Sequence, residues 1–273
     1  MELEQSAAAF KAKGYGVAAL SYDSPAVLKS FADRAKITYP LLSDPESRVI
    51  RAFGILNETI PEGNPFRGIP HPGTYFVDRS GKVTSKYFED DYTQRDTASA
   101  ILVREFGGAA GASHTTVDTK QLSLSSSASA QVVRSGQHIV LTLDIELKPK
   151  MHVYAPGVQE GYRPVEWTMK ETTAIGPAAS SFPPSKTLYL EAIKESVPVY
   201  QGKLRIVREI TIAKDAALKP FLSPTGEFSV EGEFKSQACD DRVCYIPATI
   251  PLRWNLILES HDRQRAPAEL RRK

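Results

Sequence analysis

The pattern of hydrophobic residues changes once along this chain, and that change constrains the fold more than any single motif. Up to residue 106, short apolar runs alternate with helical patterns. From residue 131 to 258, apolar and polar residues alternate in runs such as Ile139–Leu147, with frequent prolines and glycines between them. The first pattern favours an α/β domain, and the second favours an all-β sandwich. A chain of 273 residues is long enough for both.

Helix and strand signals organise residues 1–106. A helix is predicted over residues 2–13, with Phe10 on its apolar face. Ser24 followed by Pro25 is typical of a helix start, and Asp44 followed by proline repeats that signal. The predicted strands are Gly16–Tyr22, Thr74–Asp78 and Val83–Phe88. We expect the first two to be buried on both faces of a mostly parallel sheet, and the third to form an antiparallel edge.

The remaining boundaries follow from composition. Residues 107–130 are rich in Gly, Ala and Ser, which predicts a linker whose second serine-rich stretch could supply an edge strand. Residues 131–260 form the predicted β-sandwich. Residues 261–273 are polar and basic, and are predicted to be a frayed tail.

Charge and hydropathy argue against several functional classes. Lys and Arg total 34 against 32 Asp and Glu, a net charge of +2, so no broad field favours nucleic acid or an anionic membrane. No run approaches the ~20 apolar residues of a membrane helix, and the start lacks the apolar core of a signal peptide. We find no phosphate-binding loop and no convincing metal-ligand cluster, so no cofactor or metal is expected.

The chemistry is expected at Cys239 and Cys244, the two cysteines of the chain. They lie between two predicted strands, where a hairpin places opposed Cα atoms ~4.5 Å apart, within reach of a disulfide. So small a loop adds little entropic stabilisation, which favours thiol-disulfide exchange over a static bridge or two inert thiols. Arg242 could stabilise a thiolate, whereas Asp240 and Asp241 would oppose it.

Residues 1–106 resemble the redoxin part of the AhpC/TSA (peroxiredoxin-like) family, which has the thioredoxin fold. The stretches that carry the resemblance are Gly16–Ser24, Tyr39–Asp44, Val49–Gly54 and Pro72–Gly81. Pro72 occupies the position of the family's cis-proline or its equivalent in the active site.

This resemblance also implies that the family's reactive cysteine and the strand before it are missing from this chain. The family's reactive cysteine would precede the helix that opens at Glu2, after a strand that this chain lacks. No cysteine precedes Cys239. We therefore expect either a truncated start or a relic domain, no autonomous thiol peroxidase activity, and a partner that covers the incomplete sheet.

Residues 131–258 resemble the N-terminal periplasmic domain of the thiol:disulfide interchange protein DsbD. The stretches that carry this resemblance are Met151–Gly157, the region Phe182–Gly202, and Ala238–Trp254. The resemblance implies an immunoglobulin-like sandwich in which Cys239 and Cys244 form the redox pair. It also implies that aromatic and apolar side chains shield the pair, for which Tyr154, Tyr189 and Leu190 are the candidates.

The two resemblances together predict a thiol-disulfide exchange protein. It would need a thiol or disulfide protein partner and a separate electron donor, and its relatives point to an extracytoplasmic compartment. The alternative is a non-catalytic binding or scaffold protein, with a structural disulfide and a degenerate redoxin domain. A third interpretation, in which Cys239 reduces peroxide at Pro72, is less favoured.

Overall fold

The computed structural model of this protein describes residues 2–89, 91, 93–108, 111, 113–177, 179–191 and 194–270. The chain consists mostly of strands with few helices. It divides into two compact units. The first unit contains Met1–Phe106 together with His261–Lys273, and the second contains Gly107–Ser260. No helix in the described part of the chain has the length and apolar character needed to cross a bilayer.

Local capping signals set the helices of the first unit. These helices are α1 (Glu2–Ala12), α2 (Pro25–Ala35), α3 (Arg48–Ala52) and α4 (Ala98–Phe106). The predicted cap is confirmed at α2, where the Ser24 side chain accepts a hydrogen bond from the Val27 amide and Pro25 opens the helix. Asp44 also acts as predicted, but at a distance, because its carboxylate accepts the amides of Arg48 and Ile50. The helix itself therefore begins at Arg48, later than the Asp-Pro pair suggested.

The strands of the first unit form two separate pairs. The parallel pair is β1 (Ala19–Ser21) with β2 (Leu41–Ser43), and the antiparallel pair is β3 (Gly73–Val77) with β4 (Val83–Phe88); β5 (Arg95–Asp96) is short. The hairpin is confirmed, but the continuous, mostly parallel sheet is wrong for the described residues. Burial on both faces is wrong too: all three residues of β1 are only partly buried, and Val77 of β3 is 43% exposed. An apolar run can be buried on both faces only when neighbouring strands extend the sheet around it.

The core of the first unit is a small aromatic cluster. Phe10 of α1 packs with Phe76 of β3 and with Ala98 and Ile101 of α4. The Phe10 and Phe76 ring centroids lie 6.0 Å apart, and Phe106 approaches both rings from its helix end. This cluster confirms that the apolar face of the first helix is its buried face.

Three sheets build the second unit in the described residues. Its strands are β6 (Ser113–Asp118), β7 (Leu122–Ala128), β8 (Val132–Val133), β9 (Gln137–Leu147), β10 (His152–Tyr154), β11 (Glu166–Met169), β12 (Ser180–Ser181), β13 (Lys186–Leu190), β14 (Glu195–Gln201), β15 (Lys203–Thr211), β16 (Glu227–Ser236), β17 (Ala238–Cys239) and β18 (Ala248–Leu258). Sheet 1 contains β12-β15-β9-β7-β6, sheet 2 contains β11-β16-β18-β8, and sheet 3 contains β13-β14-β10-β17. A short helix, α5 (Asp215–Leu218), follows β15.

One large hydrophobic cluster joins sheets 1 and 2. It includes Leu143 from β9 and Phe234 from β16, both almost completely buried. Trp254 of β18 is fully buried; its ring lies 5.7 Å from that of Trp167, and its indole N–H donates to the Ser127 carbonyl at 3.1 Å. Alternation of buried and exposed residues along β16 and β18 places Phe234 and Trp254 on the buried face, as the sequence pattern predicted.

The region predicted to be a linker, 107–130, contains β6 and β7. β7 lies between β6 and β9, and is not an edge strand. Leu122 and Leu124 are buried on it, and the hydroxyl oxygens of Ser127 and Thr142 lie 2.7 Å apart. Serine fits this interior position because a neighbouring strand satisfies its hydroxyl group. Residues 109, 110 and 112 lie outside the described residues.

The predicted basic tail makes contacts within the first unit. The Arg34 guanidinium pairs with the Asp262 carboxylate at 2.7 Å and donates to the Gln264 side-chain oxygen at 3.1 Å. Residues 268–270 form a 3₁₀ turn, and residues 271–273 lie outside the described residues.

Candidate redox site at the cysteine pair

Cys239 and Cys244 face each other across a tight hairpin. Cys239 ends β17, and Cys244 forms an isolated antiparallel bridge with it. The two residues are joined by a disulfide, with Cα atoms 4.0 Å apart. The prediction that the hairpin opposes the two cysteines is confirmed.

Asp240 holds the loop between the cysteines in place. One oxygen of its carboxylate accepts the amides of Arg242 and Val243, each at 2.8 Å. The other oxygen accepts the Tyr245 hydroxyl at 2.8 Å. Hydrogen bonds from the Val243 and Arg242 amides and from Tyr245 lower the pKa of Asp240, so this carboxylate is ionised at neutral pH. Its charge is directed into the loop that carries Cys244.

The two halves of the disulfide differ sharply in exposure. Cys239 is 1% exposed, whereas Cys244 is an exposed residue. Its neighbours in the loop are also open to solvent, with Val243 53% and Ile246 90% exposed. An incoming thiolate can therefore approach Cys244 far more readily than Cys239.

Tyr154 lies directly against the disulfide. Its hydroxyl oxygen is 3.6 Å from Sγ of Cys244 and 3.7 Å from Sγ of Cys239. Burial raises the pKa of Tyr154, so the hydroxyl keeps its proton at neutral pH and can donate to either sulfur. The ring packs 4.7 Å from that of Tyr162, whose hydroxyl donates to Glu195 at 2.6 Å.

An apolar cluster surrounds the buried cysteine. Cys239 and Tyr154 share it with Val197 and Val199 of β14. Leu190 packs against the cluster from β13, whereas Tyr189, the next residue, is 49% exposed. Successive strand residues point to opposite faces. Of the two shielding candidates on β13, Leu190 therefore lies beside the site and Tyr189 points away from it.

Two other candidates from the sequence contribute differently. Arg242 is exposed, and its positive charge contributes to lowering the pKa of Asp240. Pro72 belongs to the first unit, immediately before β3. All peptide bonds among the described residues are trans, so the expectation of a cis-proline does not hold at Pro72.

His152 is a member of the site that sequence reasoning missed. It opens β10, pairs with Cys239 in the register of β10 with β17, and is 2% exposed. Its Nε2 atom has no hydrogen-bond partner among the described residues. Burial lowers the pKa of His152, and the charges of Asp241 and Asp240 oppose that effect. The available signal was its position two residues before Tyr154, on the same face of one strand.

Comparison with protein families identifies both halves of the chain. Residues 1–86 match the model of the AhpC/TSA family. Residues 119–251 match the model described as "Thiol:disulfide interchange protein DsbD, N-terminal". The chain therefore has a redoxin-like part followed by a part that is similar to the DsbD N-terminal domain, and both resemblances drawn from the sequence are confirmed.

Curated relatives match the redoxin part of the chain. A putative peroxiredoxin of Mycobacterium tuberculosis is 36% identical over 74 residues, which is 27% of this chain and 46% of that protein. Peroxiredoxin Bcp of Escherichia coli is 29% identical over 92 residues, which is 34% of this chain and 57% of that protein. The chain thus spans about half the length of these relatives.

Among solved structures, the chain is similar to the N-terminal periplasmic domain of ScsB from Proteus mirabilis. The TM-score is 0.38 at 16% sequence identity, and the match covers 59% of this chain and 53% of that one.

Proposed function

We propose that this protein carries out thiol-disulfide exchange through the Cys239–Cys244 pair. The observation that carries the proposal is a disulfide with one exposed and one buried cysteine, within the region that matches the DsbD N-terminal model. The neutral Tyr154 hydroxyl beside both sulfurs adds a hydrogen-bond donor for a developing thiolate.

The asymmetry in exposure assigns a role to each cysteine. A thiolate of the donor attacks Sγ of Cys244, a mixed disulfide forms, and the Cys239–Cys244 bond breaks with its electron pair on Sγ of Cys239. A second donor thiolate then attacks the donor sulfur of the mixed disulfide and releases reduced Cys244. In the other half-reaction, the Cys244 thiolate attacks a disulfide of the acceptor, and Cys239 resolves the mixed disulfide.

The remaining parts of the chain fit this proposal in a supporting role. We infer that the second unit is an immunoglobulin-like sandwich, since sheets 1 and 2 share one core. We infer that the redoxin unit provides a docking surface for a protein partner, because its strand pairs leave apolar side chains such as Leu42 and Val77 half exposed. The electron donor and acceptor are separate thiol or disulfide proteins.

The first test is the reduction potential of the pair, measured by equilibration with glutathione at pH 7. Catalytic exchangers lie between about −120 and −270 mV, whereas structural bridges lie below about −300 mV. A value in the first range supports exchange. A value in the second supports the alternative function, a scaffold with a structural disulfide.

The second test is partner trapping with single-cysteine variants. Cys239→Ser leaves the exposed Cys244 to attack without a resolving thiol, so it should accumulate mixed disulfides with extracytoplasmic proteins. Cys244→Ser leaves only the buried Cys239 and serves as the matched control, with at least tenfold less adduct expected. Equal trapping by both variants would refute the assignment of roles, and no trapping by either would argue against exchange.

A further inference from the structure

His152 is a buried titratable group that lies opposite Cys239, whose sulfur is the leaving group in the proposed exchange reaction. His152 and Cys239 are directly opposite in the antiparallel pairing of β10 and β17. Directly opposed residues project from the same face, with Cβ atoms about 4.5–5.5 Å apart. The His152 ring also packs edge-on against Tyr154, with centroids 5.7 Å apart, and the Tyr154 hydroxyl touches both sulfurs.

The imidazole is also an unsatisfied group in the oxidised protein. Nε2 of His152 is buried and has no hydrogen-bond partner among the described residues. The Asp240 carboxylate, in the adjacent loop, accepts hydrogen bonds from the Arg242 and Val243 amides and the Tyr245 hydroxyl, and His152 is not among its donors in the described residues. A buried polar atom without a partner destabilises the folded protein, because it has lost its hydrogen bonds to water. A disulfide sulfur is only a weak acceptor, so the oxidised site offers little to offset that cost.

We propose that His152 holds a proton against the Cys239 sulfur when the disulfide opens, and so stabilises the reduced form of the pair. This inference rests on the proposed exchange function. It deepens that function by naming the group that accommodates the buried leaving sulfur.

The donor thiolate bonds to Sγ of Cys244, the Cys239–Cys244 bond breaks, and its electron pair stays on Sγ of Cys239. His152 takes up one proton from solvent and directs that N–H at the new thiolate. When the resolving attack re-forms a disulfide bond at Cys239, the imidazolium returns the proton to solvent.

The charges around His152 favour this proton uptake. Asp240 and Asp241 lie in the adjacent loop, and both act to raise the pKa of His152 against the effect of burial. Tyr154 on the same strand is neutral, since burial raises the pKa of its hydroxyl. On the other side of β10, β14 places the uncharged Gln201 opposite His152. A thiolate at Cys239 would add a third negative charge, and this one appears only on reduction.

The test measures the thiol pKa of Cys239 in the Cys244→Ser variant, where Cys239 is the sole thiol of the chain. Thiolate absorbance at 240 nm is followed against pH, with His152 present and with His152→Gln or His152→Phe added. An imidazolium beside a thiolate lowers the thiol pKa. We expect each His152 variant to raise the Cys239 pKa by about one unit. His71→Gln, in the other unit, is the matched control and should change nothing.

Two variants keep the outcome interpretable. His152→Phe keeps an aromatic ring in the buried site, and His152→Gln keeps hydrogen-bonding atoms but cannot carry the proton. Near-UV circular dichroism establishes that each variant is folded. If both fold and the Cys239 pKa stays within about 0.3 units of the parent, the proposal is wrong.

A second readout separates this inference from the proposed function. In the intact pair, His152→Gln should shift the glutathione equilibrium towards the disulfide by about tenfold at pH 7, because the reduced form loses its stabilisation. If the wild-type pair resists glutathione while the Cys239 pKa still depends on His152, the exchange function fails and the proton-holding role stands. If the pair exchanges readily and neither readout responds to His152, the exchange function stands and the proton-holding role of His152 fails.

Discussion

The two units of this protein use similar apolar runs to different effect. In the redoxin unit, β1–β2 and β3–β4 are isolated pairs, and the aromatic core is small. In the second unit, central strands such as β9 and β16 are paired on both sides within larger sheets, and many of their side chains are almost completely buried in one cluster. The difference shows that an apolar pattern predicts which residues can be buried, while the pairing of neighbouring strands decides whether they are.

The cysteines are also distributed unequally between the two units. Both cysteines lie in the second unit, where one sulfur can be held in a dry cluster while the loop exposes the other. The redoxin unit carries the sequence features of a peroxiredoxin-like protein and matches peroxiredoxins, yet it has no cysteine.

The largest change in stability is expected from truncating a buried phenylalanine of the second unit, and a half-exposed phenylalanine of the redoxin unit provides the comparison. Phe234 is 1% exposed, so Phe234→Ala leaves a cavity in the core of the second unit. The substitution should destabilise this unit by about 3–5 kcal/mol. Phe53→Ala, at a residue 46% exposed in the redoxin unit, should cost no more than about 0.5–1 kcal/mol.

Separate probes report on the two units in urea unfolding. Both tryptophans, Trp167 and Trp254, belong to the second unit, so their fluorescence follows Phe234→Ala. Helical circular dichroism follows Phe53→Ala, since α1 to α4 are in the redoxin unit. Comparable costs at the two positions would contradict the contrast in core completeness.

A smaller effect of opposite sign is expected at His152, the unsatisfied polar group of the cysteine site. His152→Phe should stabilise the oxidised protein by about 1–3 kcal/mol, because it removes a buried Nε2 that has no partner among the described residues. The gain should grow as the pH falls. Burial holds the pKa of His152 below its ordinary value of 6.5 in the folded state, so the unfolded chain binds the proton first and the wild type loses stability below about pH 6.5.

Urea unfolding at pH 7.5 and pH 5.5 checks this expectation. The wild type should lose more stability than the variant between the two values. His71→Phe is the control from the redoxin unit. Equal losses in wild type and His152→Phe would show that His152 is not the group responsible.

The smallest effect is expected at a helix cap of the redoxin unit. Ser24→Ala removes the side-chain oxygen that accepts the Val27 amide and should cost about 1 kcal/mol. Ser30→Ala, within the same helix, is the matched control and should be neutral or slightly stabilising, because alanine favours helix interiors. The measurement is thermal or urea unfolding followed by helical circular dichroism. A larger loss for Ser30→Ala would show that local capping does not govern this helix.

Much of the local structure could be predicted from residues close together in sequence. The Ser24-Pro25 start of α2, the helix at the N-terminus and the β3–β4 hairpin depend on contacts within a few residues, and all three are present. The Cys239–Cys244 bridge could be predicted for the same reason, since its hairpin is short. The interior position of the serine-rich strand β7 could not, because it depends on pairing with β9, whose Thr142 satisfies the buried Ser127 hydroxyl.

The candidate site divides in the same way. The sequence by itself determined the two-domain organisation, the helix caps and the identity of the disulfide-bonded pair, because each depends on local chemistry or on extended motifs. Only the tertiary structure decided that the strands of the redoxin unit form two pairs, that Cys239 is buried while Cys244 is exposed, and that His152 lies opposite the buried cysteine. Those outcomes depend on which strands become neighbours across long stretches of chain, and local patterns of residue type do not encode that pairing.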